Sequence, residues 1–396
     1  MSKALLISGY YLDESHGSEP MTAFNLIEQS LEMQFKTIVL TSNLTDTKLI
    51  QNLEQKYGKM IEVHIIPKAF GKLWISRLLF YPIYRNWQKR TGRYLVRNNV
   101  DYDLGIHASL STFLFGSGLS YTSKPYVFGP AGFSFFDIKF SVAFGKRSFL
   151  ELIRNLFVYL LLLFDPFVRR SLRKATKVLC GDQKVIDVLN SVYLKHNLHG
   201  SPIAHAIIPP AQNFFLDIEK DQKRIVWVGR FIPRKDPLFA IESFKKILSG
   251  DQTFKLTLIG KGPLESKLRK FVKENNLEEY VEFCGWLEKA EVMRKMRHSA
   301  LMMFTSFRES AGVQLFEANS VRTRVVALSA TGASKWYRSD LISFVVPTRL
   351  ESRYSLIDKF TKECQLHLDS PTKGNEIWDW PFSKKNLLGD ILSTLD

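Results

Sequence analysis

Short apolar and β-branched runs alternate with amphipathic segments along the whole chain, a rhythm that predicts parallel α/β units. In the first half the strand-like runs are 4–8, 37–41, 62–66, 103–107, 126–128 and 176–180. The rhythm restarts at 224–228 and continues with 255–259, 281–284, 301–305, 325–328 and 344–346. Helical spacing is expected over 21–32, 237–248 and 265–275. The stretch 200–223, with Pro202, Pro209 and Pro210, reads as an interdomain linker. The expected fold class is α/β, with two Rossmann-like, doubly wound domains facing across a cleft at the C-terminal ends of their strands.

Composition agrees with two cores, because 396 residues exceed the usual ceiling for one. Cys180, Cys284 and Cys364 are widely spaced and form no metal-ligand pattern, which suits a reduced, cytoplasmic protein. The chain opens directly into a strand-like run, unlike a signal peptide. The apolar run 156–164 is about half the length of a membrane span.

Charge changes the picture. The net charge of +16, from 55 basic and 39 acidic residues, suits polyanions, anionic membranes or phosphorylated substrates. From Gly71 to Asn99 there are seven basic residues and no acidic one, interleaved with Trp74, Phe80, Tyr81, Tyr84, Trp87 and Tyr94. From Lys139 to Lys177 nine basic residues face only Glu151 and Asp165. This mixture suits peripheral contact with the inner face of an anionic cell membrane. It suits equally a basic solvated surface with its aromatics turned inward. No nucleic-acid motif accompanies it, so no nucleic-acid partner is expected.

The candidate chemistry sits on loops after strands. Glu309 and Glu317 bracket a predicted helix start, in which Ser310, Ala311 and Gly312 would form the first turn and offer backbone N–H groups to a phosphate. A helical step of eight residues spans at most about 12 Å, near the reach of a nucleoside-diphosphate sugar. The same pair could be an exposed Glu beside a helix, or a glycosidase acid and base. Gly229, Arg230 and Lys235 follow the first strand of the second half, where two cations can neutralise a diphosphate; Arg234 competes for that role. Gly260 opens the next loop and allows close approach to a ligand. In the first half, Gly17, Ser18 and Glu19 lead into a helix, and His107 ends a strand, where a structural role is the plain alternative.

Taken in order, Gly229-Arg230, Lys235, the Gly260 loop and the Glu309/Glu317 pair resemble glycosyltransferase family 4, retaining enzymes of the B-type (GT-B) fold. The first half is similar to a bacterial exopolysaccharide or capsule branch, through His16-Gly-Ser-Glu-Pro, Asp103-Leu-Gly-Ile-His107, Phe128-Gly-Pro-Ala-Gly and Leu163-Phe-Asp-Pro-Phe. The resemblance implies transfer of a sugar from a nucleotide-diphosphate donor to a glycan or lipid-linked glycan acceptor, with no metal and no cofactor beyond the nucleotide sugar. Glu309 would contact sugar hydroxyls, Glu317 the ribose, and Arg230 and Lys235 the leaving diphosphate. His107 would lie near the transferring sugar, and Gly17 would let its loop approach the diphosphate. It also implies an acceptor-binding domain over 1–205, a nucleotide-sugar domain over 206–375, and a tail 376–396 whose helix crosses back to the first domain. Arg322 and Arg324 depart from the family pattern, beside the expected donor site, and keep a second reading open: a catalytically degenerate scaffold or basic binding protein.

Overall fold

The structure is a computed structural model that describes residues 3–13, 18–68, 80–110, 112–129, 132–180, 182–193, 198–200, 217–309, 312–329, 341–370, 387–393 and 395. The chain splits into two compact units. One comprises Met1–Phe133, Leu156–Ile207 and Pro381–Asp396; the other comprises Ser134–Asn155 and Ile208–Trp380.

The first unit is built on a seven-stranded sheet, all of whose pairings are parallel. Its strands are β1 (Ala4–Ser8), β2 (Lys36–Thr41), β3 (Ile61–Ile65), β4 (Leu104–His107), β5 (Tyr126–Phe128), β6 (Lys177–Cys180) and β7 (Leu198–Gly200). They lie in the order β3-β2-β1-β4-β5-β6-β7. The second sheet has six strands: β8 (Asp221–Val228), β9 (Lys255–Ile259), β10 (Val281–Gly285), β11 (Ser299–Phe304), β12 (Arg324–Leu328) and β13 (Ile342–Val345). Its order, β10-β9-β8-β11-β12-β13, is the 3-2-1-4-5-6 order of a doubly wound Rossmann sheet. The architecture is α/β with two Rossmann-like sheets, as the alternation of apolar runs predicts. β7 is the strand the pattern misses; it is three residues long and abuts the proline-bearing stretch.

Central strands bury both faces, which is why they read as continuous apolar runs; all six residues of β11 are buried. The helix Leu387–Ser393 packs in the first unit, where Leu388 and Ile391 join Leu26 and Ile27 in the core. The Leu388 backbone N–H donates to Gln29 Oε1 at 2.8 Å.

One expected boundary differs. Residues 134–155 belong with the second sheet, not with the first domain. Phe136 and Phe144 pack against Phe307, with ring centroids 5.8 and 4.3 Å apart. Asn155 holds the Phe136 backbone from both sides, at 3.2 and 3.0 Å. Burial of aromatic surface in the second core outweighs position in sequence.

The basic, aromatic stretch of the first half resolves partly inward. On the helix Phe80–Arg97, Tyr84 and Trp87 are fully buried, and Trp87 Nε1 donates to Ile66 O at 2.8 Å. Arg85 pairs with Asp165 at 2.7 Å. Trp74, Lys72 and Arg77 lie outside the described residues.

Candidate active site

In a doubly wound sheet, ligands bind beyond the carboxyl ends of the strands where the order reverses, here between β8 and β11. The loops at that point are sewn together. Thr305 Oγ1 donates to the carbonyls of Lys235 and Asp236 at 2.9 and 3.0 Å, and itself accepts from Trp227 Nε1 at 2.9 Å. The Phe307 backbone N–H donates to Arg234 O at 3.2 Å. Asp236, with φ +40°, caps the helix Pro237–Gly250 and is held by Arg353 Nη1 at 2.7 Å. The residues 234–236 therefore have little freedom to move away from 305–307.

The neighbouring loop is as close as backbone allows. Gly260 has φ +137°, and a Cβ placed there would stand 1.9 Å from the carbonyl oxygen of Gly229. A Cβ on Gly262 would come within 2.6 Å of Phe231 O. Glycine at 260 serves loop-to-loop packing, which keeps the loop after β9 against the loop after β8.

Glu309 is the centre of the charge at this edge. Its Oε2 accepts from Arg234 Nη1 at 2.8 Å, from Lys235 Nζ, and from Ser306 Oγ at 3.3 Å. Burial would raise the carboxyl, but the Lys235 and Arg234 charges outweigh it and hold the group down at about 2. Lys235 is itself buried, and burial pushes its ammonium down against the pull of Glu309. Its Nζ also lies 5.1 Å over the Phe304 ring. Next to this group Arg308 pairs with Glu151 at 2.9 Å, and Arg154 pairs with the same carboxylate at 2.8 Å. Arg234 Nη1 links the two sets through Arg308 O at 3.2 Å. Four cations thus share two carboxylates, an arrangement that favours an added anion.

The helix after β11 begins later than the pattern predicts. It spans Val313–Ser320, with Gly312 as its N-cap in the left-handed region at φ +59°, so Gly312 precedes the first turn and is not part of it. The reason is conformational: Gly312 takes up a backbone that a helix interior excludes. Ser310 and Ala311 lie outside the described residues. Glu317, on this helix, is nearly buried, and its Oε1 accepts from Lys289 Nζ. Arg230 is exposed and pairs with no carboxylate among the described residues, in contrast to Lys235.

The first-half candidates come out differently. His107 is fully buried, donating or accepting through Nδ1 with Ser117 Oγ at 3.0 Å and through Nε2 with Tyr84 OH at 3.4 Å. Burial pushes its imidazole down to about 3, so it is neutral, and the side chain offers no surface to a ligand. In this structure the His107 ring is enclosed by Ser117 and Tyr84. Gly17 lies outside the described residues, while Ser18 and Glu19 open the helix Ser18–Glu32.

The position expected for Arg324 also requires correction. Arg324 begins β12, at the end of the strand remote from the switch-point loops. Its Nη1 donates to Ser370 O at 2.7 Å and to His367 O, clamping the end of the helix Arg353–Asp369. A βαβ unit returns the chain to the opposite end of the sheet, so Arg324 does not stand beside Glu309.

Sequence reasoning missed Lys289, Ser306, Glu151 and Arg308. Ser306 is three residues from Glu309, a spacing that could have flagged it; the partners at 151 and 289 carry no local signal. Among the described residues no three His, Cys, Asp or Glu side chains gather as metal ligands would.

Residues 210–363 match the model of the family described as glycosyl transferases group 1. That match covers less than half of the chain and includes every switch-point residue described above except Glu151 and Arg154. The chain is 27% identical over 118 residues to an uncharacterized glycosyltransferase of Methanocaldococcus jannaschii, covering 30% of this chain and 29% of that one. It is 26% identical over 129 residues to the putative colanic acid biosynthesis glycosyltransferase WcaL of Escherichia coli, covering 31% and 32%. These matches thus span about a third of the length of the curated relatives. The whole fold is similar to that of HepE from Anabaena, solved in complex with UDP and glucose, with TM-score 0.57, 15% identity, and coverage of 100% of this chain and 99% of that one.

Proposed function

We propose that the chain is a metal-independent, retaining glycosyltransferase of family 4. It moves a sugar from a nucleotide-diphosphate donor to a glycan or lipid-linked glycan acceptor in cell-surface polysaccharide synthesis. The observation that carries this reading is the Glu309 carboxylate. Its described donors all reach Oε2, which leaves Oε1 for a sugar hydroxyl, while Arg234 and Lys235 fix its orientation. In the same reading Glu317, on the helix that Gly312 caps, takes the ribose hydroxyls of the donor. The UDP in HepE and the colanic acid biosynthesis in the name of WcaL support the donor class and the pathway class.

In this reading Arg230 and Lys235 stabilise the diphosphate as its charge develops, the electrostatic task that dominates phosphate departure. The bond from the anomeric carbon to the diphosphate oxygen breaks, and the acceptor oxygen bonds to that carbon from the same face. The departing diphosphate takes the acceptor proton. His107, being buried and neutral, supports the wall of the first unit and does not touch the sugar. The work would take place in the cytoplasm, at the inner face of the cell membrane where lipid-linked acceptors lie.

A thermal-stabilisation screen of nucleotide sugars, followed by turnover with membrane extract, tests the proposal. One donor should raise the melting temperature and be consumed only when extract is present. Stabilisation without turnover in any extract would leave a binding scaffold as the better account.

A further inference from the structure

Within the first unit, residues 156–164 of the helix Lys146–Phe164 bury Val158 and Leu162. On the other side Leu156, Phe157, Leu160, Leu163 and Phe164 are 43% to 73% exposed. These five recur at i, i+1, i+4, i+7 and i+8, which is one continuous helical stripe. A helix that is apolar on both faces is ordinarily buried on both, and a run of large side chains turned to water marks a contact surface.

The surroundings of the stripe say what covers it. From Leu156 to Lys177 there are five basic residues and one acidic, Asp165, and Arg85 neutralises that carboxylate at 2.7 Å. Arg169 Nη1 donates to Leu163 O at 3.0 Å, which anchors its guanidinium at the C-terminal end of the stripe. Arg173 lies 5.8 Å over the ring of Tyr193, whose hydroxyl donates to Leu162 O. An apolar stripe ending in a positive cluster fits an anionic bilayer, with apolar side chains at the acyl boundary and cations at the phosphate level. A second copy of the chain would bring the same positive excess. No helix among the described residues is long and apolar enough to cross a membrane, so such a contact would lie in the plane of the interface.

We propose that the stripe Leu156, Phe157, Leu160, Leu163 and Phe164 is an in-plane anchor that inserts into anionic lipid, with Arg169 and Arg173 reaching the headgroup phosphates. The inference deepens the membrane contact of the proposed function and rests on it. Of the two basic stretches that suit a membrane, 71–99 and 139–177, it assigns the contact to this stripe of the second; Arg85 of the first is already paired.

Flotation of the full chain with vesicles of phosphatidylcholine and phosphatidylglycerol is the test. The wild type should float with them, and less with phosphatidylcholine alone. The double variant Leu160→Glu/Phe164→Glu should lose about tenfold or more of its partitioning. As a second readout, Phe164→Cys carrying an environment-sensitive dye should shift to the blue on adding the anionic vesicles. Equal flotation of the double variant, or an unshifted dye, would overturn the anchor. So would a wild-type dimer that the double variant splits without any change in flotation. UDP and GDP titrations of the same variants separate the two readings: lost flotation with intact nucleotide binding supports the anchor, whereas retained flotation in a protein that binds no nucleotide would remove only the transferase reading.

Discussion

Arg234 donates from Nη1 to Glu309 Oε2 at 2.8 Å, across loops 75 residues apart in sequence. That contact, together with Lys235 on the same oxygen, makes Glu309 the electrostatic keystone of the switch-point loops. It also means that two cations fix the orientation of the carboxylate.

Glu309→Gln should therefore cost both stability and transfer. The substitution leaves Lys235 buried without its counter-charge, a loss of about 3 kcal/mol. Denaturant melts of the variant would measure it, and a change below about 0.5 kcal/mol would show that Lys235 finds compensation elsewhere.

Glu151 offers a separable test, because it holds Arg308 and Arg154 and lies outside the group 1 match. Glu151→Gln should weaken nucleotide binding or turnover modestly, about three- to tenfold, through Arg308 and its carbonyl contact with Arg234. Adding Arg308→Gln should then cost less than it does alone, since both belong to one network. Additive losses would mean that the pair and the site are independent.

Gly260→Ala should be among the most disruptive small substitutions in the chain. The new methyl would stand 1.9 Å from Gly229 O at a backbone φ of +137°, and the loop after β9 would have to leave the loop after β8. A loss of more than about 3 kcal/mol is expected, read as a lowered melting temperature together with weaker nucleotide binding.

Two buried groups of the first unit set opposite pH dependences. His107 is depressed from 6.5 to about 3, so the unfolded chain takes up a proton first, and its contribution is lost as pH falls from about 6.5 toward 3. Asp182 is raised from 3.8 to about 6 by burial, so its contribution is present below about 3.8 and lost as pH rises through 6. Asp182→Asn should thus stabilise the protein at neutral pH by about 2 kcal/mol and have little effect in acid. Urea melts across that range would show the crossover; a gain that is uniform with pH would contradict the assignment.

The strands were legible because a parallel sheet buries both faces of its members, leaving apolar runs such as Leu301 to Phe304 that polar segments interrupt. The Glu309/Glu317 spacing and the cations after β8 were legible for a related reason: loops at the switch point follow directly from the strand order. Which cation pairs with which carboxylate was not. Arg234 and Lys235 are adjacent in sequence to each other but face Glu309 only because Thr305 ties their backbone to β11. The Glu151–Arg308 pair joins residues far apart in sequence, and its formation depends on Phe136 and Phe144 drawing residues 134–155 into the second core. The burial of His107 likewise depends on Tyr84 and Ser117, which no periodicity links to β4.

The most direct test of the central claim is calorimetric titration of the full chain with UDP and with GDP, in wild type and in Glu317→Ala. The account predicts that one nucleotide binds the wild type and that the variant loses about tenfold or more of that affinity. Equal affinity in wild type and variant, or no binding of either nucleotide to the wild type, would contradict it.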